Sequence, residues 1–244
     1  MKKIRLDDLL LQSKLCDTLD NARRLIIAGE VSINGNPADK AGSLYPVESK
    51  LLVKEKCPYV SRGGYKLAGG LRDFPFSPEG LICLDVGASS GGFTDCLLQN
   101  GAKKVYAVDV AYGMLDWKLR QDTRVMVIER FNARKITTEQ VPEKIDLAVI
   151  DAAFISLTKL IPPLIPLFGE LFTIICLVKP QFELPRNLIP KGGVITDPEH
   201  HKQAVEKIRS FAKDMGLNVS TAVKSSILGP KGNIEFLLKL SSLS

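Results

Sequence analysis

The residues best placed to do chemistry lie in the run Asp85-Val-Gly87-Ala-Ser89-Ser-Gly91-Gly92-Phe93. It ends the apolar segment LICLDVGA, which reads as a strand, and opens into GGFTDCLLQNG, which reads as a helix. Glycines there let the chain turn sharply and let a ligand approach the backbone where side chains would collide. A loop at the carboxyl end of a parallel strand is where doubly wound sheets bind nucleotides. The run has neither the GxGxxG spacing of a dinucleotide fingerprint nor the GK[ST] ending of a P-loop. The next apolar run, KKVYAVDV, ends at Asp109, 24 positions after Asp85. A carboxylate there can accept hydrogen bonds from both vicinal hydroxyls of a ribose. After the third run, Asn132 can turn its amide to an adenine edge. The plainer alternative is that Asp109 and Asn132 only cap the helices that follow them. Together these residues describe a nucleoside pocket without a phosphate grip, which is what S-adenosylmethionine requires.

The elements that must hold this loop begin at Leu81. LICLDVGA, KKVYAVDV, RVMVIER, IDLAVIDAA and FTIICLVKP are apolar runs bounded by polar residues or Gly/Pro, with helical segments between them. That alternation predicts an α/β fold: a Rossmann-like parallel sheet covered by helices on both faces. LNVSTAVKSSI and NIEFLLKL follow each other across a Gly-rich turn and should add a C-terminal antiparallel hairpin. The first sixty residues read as a separate small α+β unit. Helical spacing in IRLDDLLLQSKL and TLDNARRLIIAGE precedes two strand-like pieces, VSINGNPADKAG with its Asn34-Gly35 turn dipeptide, and KLLVKE. The boundary falls in CPYVSRGG, giving expected domains over residues 1–60 and 61–244.

Composition narrows the class. The chain has 244 residues, 45% hydrophobic and 25% charged, with a formal charge of +6. That excess of positive charge favours a polyanionic partner without deciding for one. The five cysteines are scattered, odd in number and never spaced as CxxC, which argues against a disulfide framework and a structural zinc site. Three lie in apolar segments and read as buried reduced thiols, as in a reducing cytoplasm. No metal is expected: the adjacent His200 and His201 follow Asp197-Pro198-Glu199, a helix start, and read as solvated. MKKIRLDDLLLQ has no apolar core and is not a signal peptide. Prolines, Gly169 and Glu170 break the apolar stretch Leu160–Val178 into a loop-rich helix and a buried strand, so no membrane association is expected.

Beyond these features the chain closely resembles the TlyA family of ribosomal RNA methyltransferases, which also carries a hemolysin label. RLDDLLLQSKLCDTLDNARRLIIAGEVSINGNPADKAG looks like its S4 RNA-binding module. YVSRGGYKL, LDVGASSGGFTDCLL, IDAAFISLTKLIP, LVKPQFE, KGGVITDP and GPKGNIEFLL match its further motifs in order. The catalytic half is similar to the FtsJ-like ribose 2′-O-methyltransferases. The resemblance implies their Lys-Asp-Lys-Glu tetrad at Lys66, Asp151, Lys179 and Glu235. Two departures are Ser90, where many relatives have Thr or Pro, and Asn132, where distant members carry an acid.

The residues themselves agree with that tetrad. Asp151 follows DLAVI and Lys179 follows TIICLV, so both should project from the carboxyl edge of the sheet. An antiparallel final strand brings Glu235 to the same edge, and Lys66 can close over it. The plainer alternative is a surface ion-pair cluster. A ribose hydroxyl is a poor nucleophile until its proton leaves, and a lysine can take it where desolvation and positive neighbours lower the amine's pKa. Lys179 is the candidate base, Lys66 steers the hydroxyl, and Asp151 and Glu235 hold the amines. Asp151 would also sit beside the donor's methyl group and charged sulfur.

Lys14, Arg23, Arg24 and Lys40 in the S4-like unit, and Arg62 in the linking segment, are candidates for phosphate contacts. Asp7, Asp8, Asp17 and Asp20 interleave with the first four, so local charge alone does not decide. The resemblance implies ribosomal RNA or a ribosomal subunit as partner, with no oligomer required and a monomer expected. Two other readings are an RNA-binding assembly protein with weak or lost catalysis, and a membrane-lytic protein.

Overall fold

A computed structural model describes residues 2–54 and 57–243 and divides the chain into two compact units, Met1–Cys57 and Pro58–Ser244. The first unit runs β1 (Lys3–Arg5), α1 (Leu6–Gln12), α2 (Leu19–Ile27), β2 (Val31–Ile33), β3 (Asn36–Pro37), β4 (Leu44–Pro46) and β5 (Leu51–Val53). Leu6, Leu9 and Leu10 on α1 meet Ala22 and Ile26 on α2, and Val31 and Ile33 close the core. Thr18 caps α2 by accepting the Asn21 N–H at 3.1 Å. Asn34 and Gly35 both have positive φ, the conformation of a tight two-residue turn between β2 and β3. One expectation fails. Residues 3–5 form a strand paired antiparallel with β4, because helical spacing in IRLDDLLLQ cannot show that its first turn is taken by a sheet.

Asp7 is the unit's buried charge. It is 1% exposed, and its carboxylate accepts Arg5 Nε and Nη2 at 2.9 and 2.8 Å and Arg23 Nε at 3.1 Å. The two guanidiniums hold its pKa down, from the ordinary 3.8 to about 2.

The second unit contains α3 (Gly63–Asp73), β6 (Ile82–Val86), α4 (Gly92–Gln99), β7 (Lys104–Val108), α5 (Trp117–Gln121), β8 (Val125–Ile128), β9 (Ile145–Ile150), α6 (Ile161–Leu164), β10 (Phe168–Val178), α7 (Pro180–Glu183), α8 (Pro198–Asp214), β11 (Asn218–Val219), β12 (Val223–Lys224) and β13 (Phe236–Ser241). The sheet order is β11-β13-β10-β9-β6-β7-β8, with β12 also on β13. The five apolar runs are the parallel strands β6 to β10, and β13 is antiparallel to β10, β11 and β12. The chain enters at β6, winds outward through β7 and β8, then returns to β9 on the other side. The carboxyl ends of β6 and β9 therefore flank the topological switch point.

Alternation along the strands serves two cores. Cys83, Leu147, Val149, Ile175 and Leu177 face Leu67, Cys96 and Leu97 of α3 and α4. Leu84, Ala148, Ile150, Ile174 and Cys176 face Ile161, Ala204 and Ile208 of α6 and α8. Burial pushes the thiols of Cys83, Cys96 and Cys176 up to about 12, so they stay protonated at neutral pH. Leu160–Val178 forms α6 between 3₁₀ turns and then β10; no described helix is long and apolar enough to cross a membrane. Asp197 caps α8 as expected, but His201 is 7% exposed rather than solvated. It shares α8's buried stripe with Ala204 and Ile208, lies 2.9 Å by Nε2 from the Ile195 carbonyl oxygen and packs on Phe236.

The depressed Asp7 carboxyl gives a signed pH dependence. Its contribution is complete above the ordinary pKa and is lost as pH falls from about 4 to about 2. Asp7→Asn should cost on the order of 1–2 kcal/mol at neutral pH. Urea unfolding should show the gap between wild type and variant closing as pH approaches 2.

Candidate active site

Four charged side chains from four elements converge where the switch point opens. Asp151 follows β9, Lys179 follows β10, Glu235 precedes β13 and Lys66 lies on α3. The β10–β13 register pairs Val178 with Phe236, which sets the flanking Lys179 and Glu235 at one edge. Lys66 Nζ lies 2.7 Å from Glu235 Oε2 and 3.7 Å from Asp151 Oδ2, while Lys179 Nζ lies 2.5 Å from Asp151 Oδ1. The result is an alternating chain, Glu235–Lys66–Asp151–Lys179. Glu235 is 1% exposed and Lys66 is buried, so this is no surface cluster. Burying these groups singly would be costly; alternating signs offset most of that cost.

Close backbone approach delivers Lys66. A Cβ on Gly64 would fall 2.1 Å from the Tyr59 ring, and one on Gly92 would fall 2.8 Å from Gly64 N. Glycine at 92 lets the starts of α3 and α4 touch, and glycine at 64 leaves room for the Tyr59 ring.

The loop after β6 packs closely on its neighbours. Gly87, at φ +85°, sits against the Asp151 carbonyl, and a Cβ on Gly91 would strike Leu119. Tight loop-to-strand packing thus adds a second demand for glycine at Gly87 and Gly91. Gly87, Ser89, Gly92, Phe93, Asp109, Asn132 and Asp151 line a cavity of about 510 Å³, with Lys66, Lys179 and Arg62 at its wall. Asp85 and Gly91 do not line it. Asp85 is wholly buried beneath the loop, accepting the Thr94 hydroxyl at 2.6 Å. Burial raises its pKa to about 7; the Thr94 hydrogen bond opposes the rise and the Asp151 charge adds to it.

Asp109 accepts the N–H groups of Ser89 and Ala111, each at 2.8 Å on a different oxygen. Each oxygen retains a lone pair for a further donor. Asn132 Oδ1 caps the following 3₁₀ turn through Arg134 N at 3.1 Å, which leaves its amide NH₂ for the cavity. Capping and ligand contact are therefore compatible at both positions. In the first unit, Lys14, Arg23, Arg24 and Lys40 are all exposed; Arg23 is tied to Asp7 and Arg24 to Asn21.

Residues that the sequence did not single out surround the mouth. Phe154 is 91% exposed at φ +63°, a backbone conformation costly for an aromatic residue, and its ring lies 5.1 Å from Phe182. Beyond it a second groove, about 640 Å³, is lined by Arg134, Lys159 and Arg186 together with both rings and by no acid. None of the three cations has an ion-pair partner among the described residues. An exposed Phe after Asp151 was the available signal; the cations, far apart in sequence, gave none.

The FtsJ-like methyltransferase family model matches residues 59–242, and the S4 domain model matches residues 4–49. The chain belongs to the FtsJ-like methyltransferase family. It is similar to Bacillus subtilis YqxC, at 46% identity over 98% of this chain and 86% of that one. It is 41% identical to Mycobacterium tuberculosis TlyA, named a 16S/23S rRNA (cytidine-2′-O)-methyltransferase, over 98% of this chain and 90% of that one. A solved structure of a hemolysin-labelled protein from Streptococcus thermophilus superposes with a TM-score of 0.76 at 42% identity, covering 100% of this chain and 90% of that one.

The methyltransferase is thus an S-adenosylmethionine-dependent enzyme, and its cavity fits that group. The volume is within the range of small-molecule sites. Asp109 would hold the ribose hydroxyls and the Asn132 amide the adenine edge, while Asp151 offers a carboxylate for the cationic end. Asp109→Ala should weaken S-adenosylmethionine binding by about 1–3 kcal/mol. Calorimetry on a folded variant that shows unchanged affinity would remove Asp109 from the ribose contact.

Proposed function

We propose that this methyltransferase methylates a ribose 2′-hydroxyl of ribosomal RNA. The observation that carries the proposal is the Glu235–Lys66–Asp151–Lys179 chain at the cavity wall. When bound, S-adenosylmethionine supplies an electrophilic methyl group. A ring nitrogen already owns a lone pair for that methyl, and carbon methylation calls for a nucleophile such as a thiolate; no cysteine lines the cavity among the described residues. A hydroxyl needs a group that accepts its proton, and the Lys179 amine, held beside Asp151 at the cavity wall, is the candidate. Lys179, after its ammonium has released a proton to solvent, takes the hydroxyl proton as a neutral amine while the oxygen's electron pair bonds the methyl and the sulfonium leaves as a neutral thioether. Lys66 orients the oxygen, and Asp151 and Glu235 fix both amines.

The acceptor side suits a polynucleotide. The exposed Phe154 ring beside Lys179 and Asp151 offers a stacking face for the target base. The acid-free groove of Arg134, Lys159 and Arg186 would take the flanking phosphates, with Arg62 on the other flank. In the S4 unit, Arg5 joins Arg23 as a guanidinium held on Asp7, and Lys14, Arg24 and Lys40 extend the candidate contacts. M. tuberculosis TlyA, named for ribosomal RNA 2′-O-methylation and similar along nearly the whole chain, supports the same substrate class. On this reading the enzyme works in the cytoplasm, on a ribosomal subunit or its RNA, and as a monomer.

Lys179→Ala should reduce single-turnover methyl transfer to a ribosomal subunit by at least about 10²–10⁴-fold, the usual scale of general-base assistance. Cofactor affinity and folding should stay near wild type, because the amine acts on the acceptor. Lys179→Arg should not rescue the rate, since a guanidinium keeps the charge but does not accept the proton. Near-wild-type turnover in the arginine variant would contradict the base role.

A further inference from the structure

Glu183 is a buried carboxylate that the cofactor and tetrad do not use. It ends α7, the short helix that begins directly after Lys179, and is 3% exposed. Its Oε1 accepts the Leu157 N–H at 2.8 Å and its Oε2 the Ser156 hydroxyl at 2.5 Å. From α8, Lys207 Nζ donates to Oε2 at 3.0 Å and to the Glu183 carbonyl oxygen at 2.6 Å. Glu183 does not line the cofactor cavity.

What these bonds join is informative. Ser156 and Leu157 end the loop that starts at Asp151 and carries Phe154 at its positive φ. Phe182, the residue before Glu183, is the ring against which Phe154 rests. One carboxylate thus ties the segment bearing the amine of Lys179 to the loop bearing the aromatic face, and Lys207 locks both to α8. A strained residue such as Phe154 persists only where its surroundings over-determine it. Here the over-determination is three donors on one side chain and one main-chain carbonyl.

We infer that Glu183, clamped by Lys207, is a positioning residue that fixes the acceptor-side loop relative to Lys179. It sets the distance between the proton acceptor and the face on which the target base stacks, and this rests on the function proposed above. A carboxylate can accept from Ser156, Leu157 and Lys207 together; an amide cannot, because half its polar atoms are donors. Misplacing reacting groups by about 1 Å is enough to cost about 10²-fold in rate.

The test uses the full chain with ribosomal subunits and radiolabelled S-adenosylmethionine. Glu183→Gln should lower kcat about 10–100-fold, with KM for subunits within about threefold and cofactor affinity unchanged. Lys207→Gln, at a half-exposed position that tolerates substitution, should give the same split if Glu183→Gln fails to fold, and Lys207→Arg should restore most of kcat. A spectroscopic arm uses Phe154→Trp in a Trp117→Phe background, so that the probe is the sole tryptophan. Its fluorescence anisotropy should fall when Glu183→Gln frees the loop. Equal losses of kcat, cofactor affinity and melting temperature would reduce Glu183 to a structural role and overturn the inference, as would unchanged kcat and anisotropy. A wild-type chain that methylates no ribosomal subunit would instead overturn the proposed function itself, and the positioning role with it.

Discussion

Four alternating charges at one edge of the sheet are the constraint around which the catalytic unit is organised. A buried Glu235 is tolerable only with Lys66 beside it, and Lys66 in turn leans on Asp151, which holds Lys179. Each comes from a different element, so the cluster exists only when strand register, the return of β13 and the position of α3 are all correct. The close contact of α3 with α4 at Gly92 brings the start of the helix that carries Lys66 against the cofactor loop.

Asp151 is where the two halves of the chemistry meet. Its backbone packs on Gly87 of the cofactor loop, its carboxylate pairs with both lysines, and the chain beyond it rises to Phe154. The donor side is built from main-chain turns and a few acceptors, Asp109 foremost. On the proposed reading the acceptor side is built from cations, the exposed Phe154 ring and the half-buried Phe182 ring. On that reading a cationic cofactor and a polyanionic substrate need opposite surroundings, and Phe154 and Ile155 line both the cavity and the groove.

Much of this was legible in the sequence because short, near-continuous apolar runs bounded by polar residues or Gly/Pro are what parallel strands buried on both faces require. All five became parallel strands, and the Gly-rich turn before NIEFLLKL correctly implied an antiparallel last strand, from which the position of Glu235 followed. What the sequence concealed were features with no local signature. The three-residue strand at Lys3–Arg5 overlaps a helical pattern, and His201 looks solvated until the buried stripe of α8 is known. The packing of Gly87 on Asp151 and of Gly91 on Leu119 likewise had no signature in the sequence. Arg134, Lys159 and Arg186 are too far apart in the chain to suggest one groove, and the bonds of Glu183 can be counted only once three elements have met.

The central claim is that the methyl group ends on a ribose oxygen of ribosomal RNA, and alkaline hydrolysis tests it most directly. Purified ribosomal subunits would be incubated with the enzyme and methyl-labelled S-adenosylmethionine, and their RNA digested with alkali. Alkaline cleavage uses the 2′-hydroxyl as nucleophile, so a methylated ribose protects the bond that follows it. The account requires the label in alkali-resistant dinucleotides. Label recovered in mononucleotides, as base methylation would give, or in ribosomal protein, would contradict it.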